Sequence, residues 1–208
     1  MVDVPNIPKD TRLTPSVLIA DDWKDYALLD SGEGRKLERY GSIVVDRPDP
    51  QAFWPKSLPA QKWQSAHAAF AGGEESDESG RWRRDKPIPE TWPMQWDGIR
   101  LHARLANFRH LGVFPEHSVH WKWGQEAIRG MDNAQVLNLF GYTGMASLAL
   151  AKAGAQVTHV DASKKSIGWG RENQTLSGMD SAPIRWICDD AMAFVRRELR
   201  RGRTYHGI

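Results

Sequence analysis

The chain has 208 residues, 40% of them apolar and 26% charged, with a net charge of +2, which suffices for one ordinary hydrophobic core and a smaller second one but does not by itself indicate a nucleic-acid partner. No run approaches the roughly 18 apolar residues of a membrane helix, the start MVDVPNIPKDTR lacks an apolar signal segment, and the single cysteine, Cys188, argues against internal disulfides and thiol-bound metals. We therefore expect a cytoplasmic protein with no membrane contact and no bound metal.

The first half of the chain has the pattern of short strands joined by turns. SVLIA, YALLD and SIVVD, between residues 17 and 46, are apolar runs separated by turn-rich letters such as DSGEG. Residues 71–80, AGGEESDESG, are too polar to fold alone and predict a solvated loop. After that loop, WPMQWDGIRLHARLANF resumes a strand-like pattern. This half predicts a small β-rich domain over residues 1–115.

The pattern changes near residue 115. Pro115 and Glu116 suit the first turn of a helix, and Val119, Trp123 and Ile128 follow at spacings close to one helical face. We therefore place a domain boundary here.

Strands and helices then alternate regularly. The predicted strands are AQVLNLF, AQVTHVD and APIRWICDD, the predicted helices are GYTGMASLALAKAG, SKKSIGWGRENQTLSG and AMAFVRRELRRG, and TYHGI begins a fourth strand. This alternation implies βαβ units, a parallel sheet and right-handed crossovers. The sequence thus predicts an α/β fold, with a Rossmann-like half-domain over residues 116–208.

Ligands of open α/β sheets bind at the carboxyl ends of the strands, so the residues just after each strand are the candidates for a binding site. Gly141 and Gly144 follow the first strand and allow a sharp turn. Asp161, twenty residues after Gly141, ends the second strand, where a carboxylate can accept hydrogen bonds from both ribose hydroxyls of a nucleoside cofactor. Asp189 and Asp190 follow the third strand and could contact an adenine edge.

The spacing of the glycines distinguishes between nucleoside cofactors. A dinucleotide site usually has the pattern G-x-G-x-x-G, because a pyrophosphate must rest on a helix N-terminus. Gly141 and Gly144 give only G-x-x-G. A cofactor without phosphate, such as S-adenosylmethionine, is therefore favoured over a nicotinamide dinucleotide.

The segment VLNLFGYTGMASLALAKAGAQVTHVDASKKSIGWGRENQ resembles motifs I and II of class I S-adenosylmethionine-dependent methyltransferases, and more closely those of bacterial enzymes that methylate large-subunit ribosomal RNA. Residues 108–123 resemble the loop and helix that precede motif I in that group, and the resemblance covers about residues 100–208. It implies a cofactor-binding set made of the glycine loop, a ribose ligand with its neighbours, an adenine-side pair and two residues near the methionine end. These are Asn138, Phe140, Gly141, Tyr142 and Gly144; Asp161, Ala162 and Ser163; Asp189 and Asp190; and Glu116 and His117.

Most of these residues also have a purely structural interpretation. Gly141 and Gly144 could be ordinary helix caps, although Asp161 at the right separation favours the binding site. Asp190 could cap the third helix instead of contacting the cofactor, and both alternatives stay open. For Glu116 and His117 the structural interpretation is favoured, as a residue suited to a helix N-terminus and a surface histidine.

Two basic segments could contact RNA. The arginines of the last helix recur at helical spacing, which favours a solvated face; they are Arg196, Arg197, Arg200, Arg201 and Arg203. RWRRDK, residues 81–86, combines Trp82 with four basic residues, as a base-stacking and phosphate-binding surface would, although Trp82 could equally cover a small core. Cys188 lies at a strand end beside the predicted adenine contact, and we reject it as a nucleophile.

We expect methyl transfer from S-adenosylmethionine to a base in ribosomal RNA, which would be the substrate partner. Two alternatives stay open: methylation of a small molecule or protein by the same cofactor half, and a non-catalytic module whose β-rich half binds a partner. The catalytic residues are not visible. In the family that the sequence resembles, the fourth strand leads into an acidic-Pro-Pro motif, which does not occur before Ile208. We therefore expect the cofactor domain to be truncated and the catalytic residues to lie beyond Ile208.

Overall fold

The computed structural model describes residues 17–21, 23–72 and 80–208 and has mixed α/β structure. The predicted loop at residues 71–80 falls mainly on residues 73–79, outside the described residues. In chain order the elements are β1 (Tyr26–Gly32), β2 (Arg35–Tyr40), β3 (Ile43–Pro48), α1 (Ala60–Gln64), β4 (Ala68–Ala71), β5 (Arg81–Arg84), β6 (Trp92–Trp96), β7 (Ile99–Ala103), a 3-10 turn (Pro115–His117), α2 (Ser118–Ala127), β8 (Gln135–Leu139), α3 (Met145–Lys152), β9 (Gln156–Asp161), α4 (Lys164–Leu176), β10 (Ile184–Cys188) and α5 (Ala191–Arg200).

Strands β1 to β5 form one sheet in that order. Strands β3 and β4 run parallel, with α1 in the connection between them, and the other neighbouring strands run antiparallel. Burial alternates along β3, where Ile43, Val45 and Arg47 face the interior. This sheet is the predicted β-rich part of the fold.

The prediction of a strand at SVLIA is wrong. Residues 17–20 have no regular structure, and the side chains of Val17, Leu18 and Ile19 are exposed. An apolar run forms a strand only where a neighbouring strand accepts its backbone hydrogen bonds, and pairing with β2 begins at Tyr26. YALLD and SIVVD lie in β1 and β3, as predicted.

The hairpin β6–β7 follows the first sheet. Its two-residue turn is Asp97-Gly98, and both residues have positive φ, 46° and 75°, which is the conformation that a tight hairpin turn requires. The backbone N–H of His102 on β7 donates to the Asn173 side chain on α4 at 3.0 Å. The hairpin is thus joined to the helix that follows β9.

Strands β8, β9 and β10 form a parallel sheet in the order β10-β9-β8. Helices α3 and α4 connect them, which confirms the predicted βαβ alternation. Gly207 bridges Val136 of β8 in the parallel sense, and its carbonyl accepts from the backbone N–H of Leu137 at 3.0 Å. The predicted fourth strand therefore begins beside β8.

Helix α2 departs from the predicted face at Trp123, whereas Ile128, just after the helix, is buried as predicted. Trp123 is 69% exposed, whereas Trp121 is 5% exposed. The Trp121 ring packs edge-on against Trp23 and Trp96, with centroids 5.9 and 5.1 Å apart. Aromatic partners contributed by the N-terminal part of the chain decide which face turns inward, and the spacing within the helix does not contain that information.

The largest core cluster draws on both sides of residue 115, with Trp23, Tyr40 and Leu101 on one side and Trp121 and Leu148 on the other. The domain boundary near residue 115 stays a prediction, and the two sides of it share packed side chains. Within the described ranges, no helix is both long and apolar enough to span a membrane.

Candidate cofactor-binding site

The glycine loop, residues 139–144, joins β8 to α3 at the carboxyl end of the parallel sheet. Phe140, Tyr142 and Gly144 have φ values of 55°, 53° and 86°, in the left-handed region. The N–H of Gly141 donates to the Val160 carbonyl on β9 at 3.1 Å, and the N–H of Gly144 donates to the Gly141 carbonyl at 3.0 Å. The loop is therefore a tight turn tied to the neighbouring strand.

The two glycines are required by different neighbours. A Cβ at Gly141 would lie 2.3 Å from Cε1 of His159, which is buried directly beneath the loop. A Cβ at Gly144 would lie 2.6 Å from the Trp186 ring, and its φ of 86° also disfavours a side chain. The internal packing of the protein thus explains both glycines, and their contact with a ligand stays a prediction.

A chain of polar side chains, of which Ser147 and His159 are fully buried, runs under the loop. The Asn138 amide donates to Oγ of Ser147 at 2.9 Å, and Oγ of Ser147 lies 2.9 Å from Nδ1 of His159. Burial lowers the pKa of His159 to about 4, so its imidazole is neutral at physiological pH. Sequence analysis identified Asn138 but missed Ser147 and His159, whose signal was a polar residue inside an otherwise apolar helix or strand.

Asp161 ends β9 beside this loop. Its Oδ2 accepts from the backbone N–H of Tyr142 at 2.9 Å, and its Oδ1 accepts from that of Ser163 at 2.8 Å. Ser163 also caps α4, because its hydroxyl accepts from the backbone N–H of Ser166 at 3.2 Å. Ala162, between them, is exposed. The predicted group of Asp161, Ala162 and Ser163 therefore lies next to the glycine loop. Two backbone N–H groups hold the Asp161 carboxylate in one orientation.

Asp189 and Asp190 follow β10 at the same edge of the sheet. Asp190 is the N-cap of α5, and its side chain accepts from the backbone N–H of Ala193 at 2.8 Å. Asp189 accepts from the backbone N–H of Asp190 at 2.9 Å and forms an ion pair with Arg197. The capping alternative for Asp190 is thus observed, and adenine contact by either carboxylate stays a prediction.

A cavity of about 290 Å³ lies against the glycine loop. The loop contributes one wall, and the segment that leads into α2 contributes the other. The lining residues include Asn138, Phe140, Gly141 and Tyr142 on one side and Val113, Phe114, His117 and Trp121 on the other. Glu116 is exposed on the 3-10 turn and does not line the cavity, whereas its neighbour His117 does. A larger cavity of about 840 Å³, between the β6–β7 turn and α2, is lined by none of the predicted site residues.

Residues 104–114, the strap, lead into the 3-10 turn. Val113 and Phe114, at the end of the strap, line the side of the cavity opposite the glycine loop. The Thr143 hydroxyl donates to the Gly112 carbonyl at 2.5 Å, and the Phe114 ring lies 5.3 Å from the Tyr142 ring. Burial raises the pKa of Tyr142 to about 12, and its hydroxyl is shielded from solvent.

The basic strand β5 lies at the edge of the first sheet. Arg81, Arg83 and Arg84 are exposed, and Arg83 pairs with Asp85 at 2.8 Å. The Trp82 ring packs edge-on against Phe70 at 5.2 Å. Trp82 therefore packs on the core, which is its structural alternative, and the arginine side chains are exposed to solvent.

Chemically, the site offers a fixed carboxylate and an apolar cavity beside a glycine turn, which together suit a nucleoside ligand. Among the described residues, no group of three or more histidine, cysteine, aspartate or glutamate side chains is arranged to hold a metal ion. The fold is the Rossmann-like α/β fold that class I methyltransferases have.

Comparison with known proteins gives the family directly. A model of the S-adenosylmethionine-dependent methyltransferase family matches residues 56–205, more than half of the chain. The chain belongs to this family, whose cofactor is S-adenosylmethionine. It is similar to an S-adenosylmethionine-dependent methyltransferase from Agrobacterium tumefaciens, with 54% identity and a TM-score of 0.82 over 87% of this chain and 57% of that chain.

The curated relatives are named for ribosomal RNA. "Ribosomal RNA large subunit methyltransferase K/L" of Shewanella frigidimarina is 34% identical over 100 residues, covering 48% of this chain and 14% of that protein. The protein of the same name from Psychrobacter sp. is 36% identical over 106 residues, covering 50% and 13%. The chain therefore spans about one seventh of the length of these relatives. A methyltransferase structure from Streptococcus mutans, 20% identical with a TM-score of 0.67 over 87% of this chain and 50% of that chain, shares the fold.

Proposed function

We propose that this chain binds S-adenosylmethionine at the glycine loop and belongs to an enzyme that methylates a base in large-subunit ribosomal RNA, in the cytoplasm. The observation that carries the cofactor site is the carboxylate of Asp161, held beside the loop by two backbone N–H groups. The names of the curated relatives support the RNA substrate.

The cavity and the carboxylate beside it fit a nucleoside with a sulfonium-bearing tail, although Asp161 itself does not line the cavity. Each oxygen of Asp161 accepts one backbone hydrogen bond and has a second lone pair, so the carboxylate can accept from two ribose hydroxyls. Phe114, Trp121 and Met145 give the cavity apolar walls. Asp189 and Asp190 lie at the same sheet edge, on the side proposed for adenine.

S-adenosylmethionine supplies an electrophilic methyl group when bound. The contribution of this chain is to fix the orientation of that group and to exclude water with the apolar walls, since holding reactants at near-attack distance supplies much of the rate of such a transfer. His159 is not a candidate base, because it is fully buried beneath Gly141 and its neighbour is Ser147. We assign no catalytic base among the described residues.

One feature of the N-terminal sheet supports an anionic substrate. Arg81 and Arg84 line a cavity of about 500 Å³, and the opposite side of that cavity is formed by Leu105, Ala106 and Asn107 of the strap. Exposed arginines beside the strap could bind RNA phosphates and so position the strand for the transfer.

The test is a titration with S-adenosylmethionine by calorimetry. We expect Asp161→Ala to raise Kd about 100-fold or more, because two hydrogen bonds to a charged acceptor are lost. Asp30→Ala is a matched control, since Asp30 also accepts backbone N–H bonds, from Ser57 and Leu58, but lies in the first sheet. A folded Asp161→Ala protein whose Kd stays within twofold of wild type would refute the assignment of Asp161 to the ribose.

A further inference from the structure

We propose that the N-terminal sheet holds the wall of the cofactor cavity in place through Arg47 and Trp82, two positioning residues that donate to consecutive carbonyls of the strap. This inference rests on the proposed cofactor site and extends it to side chains that do not line the cavity. Among the described residues, neither side chain forms a hydrogen bond with the glycine loop. They act through the strap that does.

The strap is fixed to the cofactor half at its C-terminal end. The Gly112 carbonyl accepts from Thr143 in the glycine loop, and the next two residues, Val113 and Phe114, line the cavity. A Cβ at Gly112 would lie 2.1 Å from the Trp169 ring of α4, so the strap lies directly on that helix. A shift of the strap by a fraction of an ångström would therefore change the cavity wall.

The middle of the strap is fixed to the other half of the molecule. Nη1 of Arg47 on β3 donates to the Arg109 carbonyl at 3.3 Å, and Nε1 of Trp82 on β5 donates to the Phe108 carbonyl at 3.2 Å. These two adjacent carbonyls thus obtain their donors from two different strands of the first sheet.

Arg47 is itself rigidly held. It is 4% exposed, and its guanidinium donates to both carboxylate oxygens of Glu38, at 2.5 and 3.0 Å, and to the Tyr40 hydroxyl at 2.7 Å. Burial alone would lower the pKa of Arg47, but the hydrogen bonds and charge of Glu38 outweigh it and raise the pKa above the ordinary value. The donor therefore stays charged and in one position across the working pH range.

Stability alone does not account for this buried ion pair. Removing two charges from water costs nearly as much as their attraction returns, and apolar side chains of similar volume fill such a site at least as well. A function for the pair is to present one further N–H of a fixed fork to the strap, which only arginine among the cationic side chains can do while binding a carboxylate with two bonds.

The experiment uses Arg47→Lys, Trp82→Phe and the double variant. Lysine keeps a positive charge beside Glu38 but lacks the fork that reaches the strap, and phenylalanine keeps a ring beside Phe70 but lacks the donor. The matched control is Arg35→Lys. Arg35 also bonds a carboxylate, that of Asp46 at 2.6 Å, and a carbonyl, that of Phe70 at 3.0 Å, but it does not contact the strap.

We expect the Kd for S-adenosylmethionine to rise about tenfold in the double variant, since two hydrogen bonds that hold the wall are lost, and to stay within twofold in Arg35→Lys. Hydrogen exchange in the cofactor-free protein should accelerate at the strap amides, including that of Arg104, which donates to the Leu111 carbonyl. Thermal unfolding shows whether each variant is folded. Of the three variants, Trp82→Phe should lower the stability of the fold least.

Folded variants with unchanged Kd, or with unchanged exchange at the strap, would overturn the inference. A wild-type protein that does not bind S-adenosylmethionine would instead refute the proposed function. In that case the exchange comparison still decides whether Arg47 and Trp82 hold the strap.

Discussion

The contact between Gly141 and His159 gives the sharpest test of the loop. We consider Gly141→Ala, which adds one methyl group. An ideal Cβ at this position lies 2.3 Å from Cε1 of His159 and 2.5 Å from its Nδ1. Gly141 does not have a positive φ, so the substitution adds no backbone strain, and the steric contact is the whole effect.

The imidazole has little room to yield. It is fully buried, its Nδ1 is 2.9 Å from Oγ of Ser147, and the ring of Trp186 lies 4.3 Å away. Ordinary van der Waals contact requires a shift of about 1 Å, which would break the bond to Ser147. Inserting one methyl group into such packing costs about 1–3 kcal/mol, and the lost hydrogen bond adds about 1 kcal/mol.

Urea unfolding of wild type and Gly141→Ala measures this loss. Gly168→Ala is the control, because a Cβ there meets nothing within 4 Å. At this exposed position of α4, alanine should stabilise the protein by up to about 1 kcal/mol. The double variant Gly141→Ala/His159→Ala should be less destabilised than the sum of its single variants by about 1 kcal/mol or more. Additive free energies of unfolding would show that the imidazole is not the reason for glycine at this position.

Two further predictions follow from burial and charge. Because burial lowers the pKa of His159 from 6.5 to about 4, the unfolded chain binds a proton first as the pH falls. Wild type should therefore lose up to roughly 3 kcal/mol of stability between pH 6.5 and 4 relative to His159→Gln; parallel stability–pH curves would contradict this. Replacing Arg81 and Arg84 by alanine should weaken binding to large-subunit ribosomal RNA and flatten its salt dependence by about one to two units of slope. Replacing Arg196 and Arg200, exposed on α5, changes the net charge equally and should leave that slope unchanged; equal effects of the two pairs would refute a role for β5.

The parallel half of the fold could be predicted from the sequence because its signals are local. Each buried strand and amphipathic helix between Gln135 and Arg200 has its own periodicity, and the carboxyl ends of the strands follow from the topology. The positions of Asp161 and Gly141 at one edge of the sheet follow for the same reason. The family resemblance added the assignment of roles, which the pattern alone does not give.

The remaining features depend on contacts between distant segments. Glu38 and Arg47 look like the polar residues of exposed strand faces, yet both are buried, and Arg47 also donates to a carbonyl of the strap. Trp121 turns inward in place of Trp123 because Trp23, almost a hundred residues earlier, packs against it. No periodicity within one helix or strand encodes such pairings.

The hydrogen bond from the Tyr142 N–H to the Asp161 carboxylate shows that the conformation of the glycine loop depends on residues outside the loop. Phe140 and Tyr142 hold left-handed conformations that cost roughly 1–2 kcal/mol each in an ordinary chain. What offsets that cost lies outside the loop, in the Asp161 carboxylate and the Val160 carbonyl of β9. The loop is therefore not a transferable module. Grafted onto another strand–helix junction by its own six residues, it would not keep its shape, and the smallest portable unit is the entire β8–α3–β9 segment.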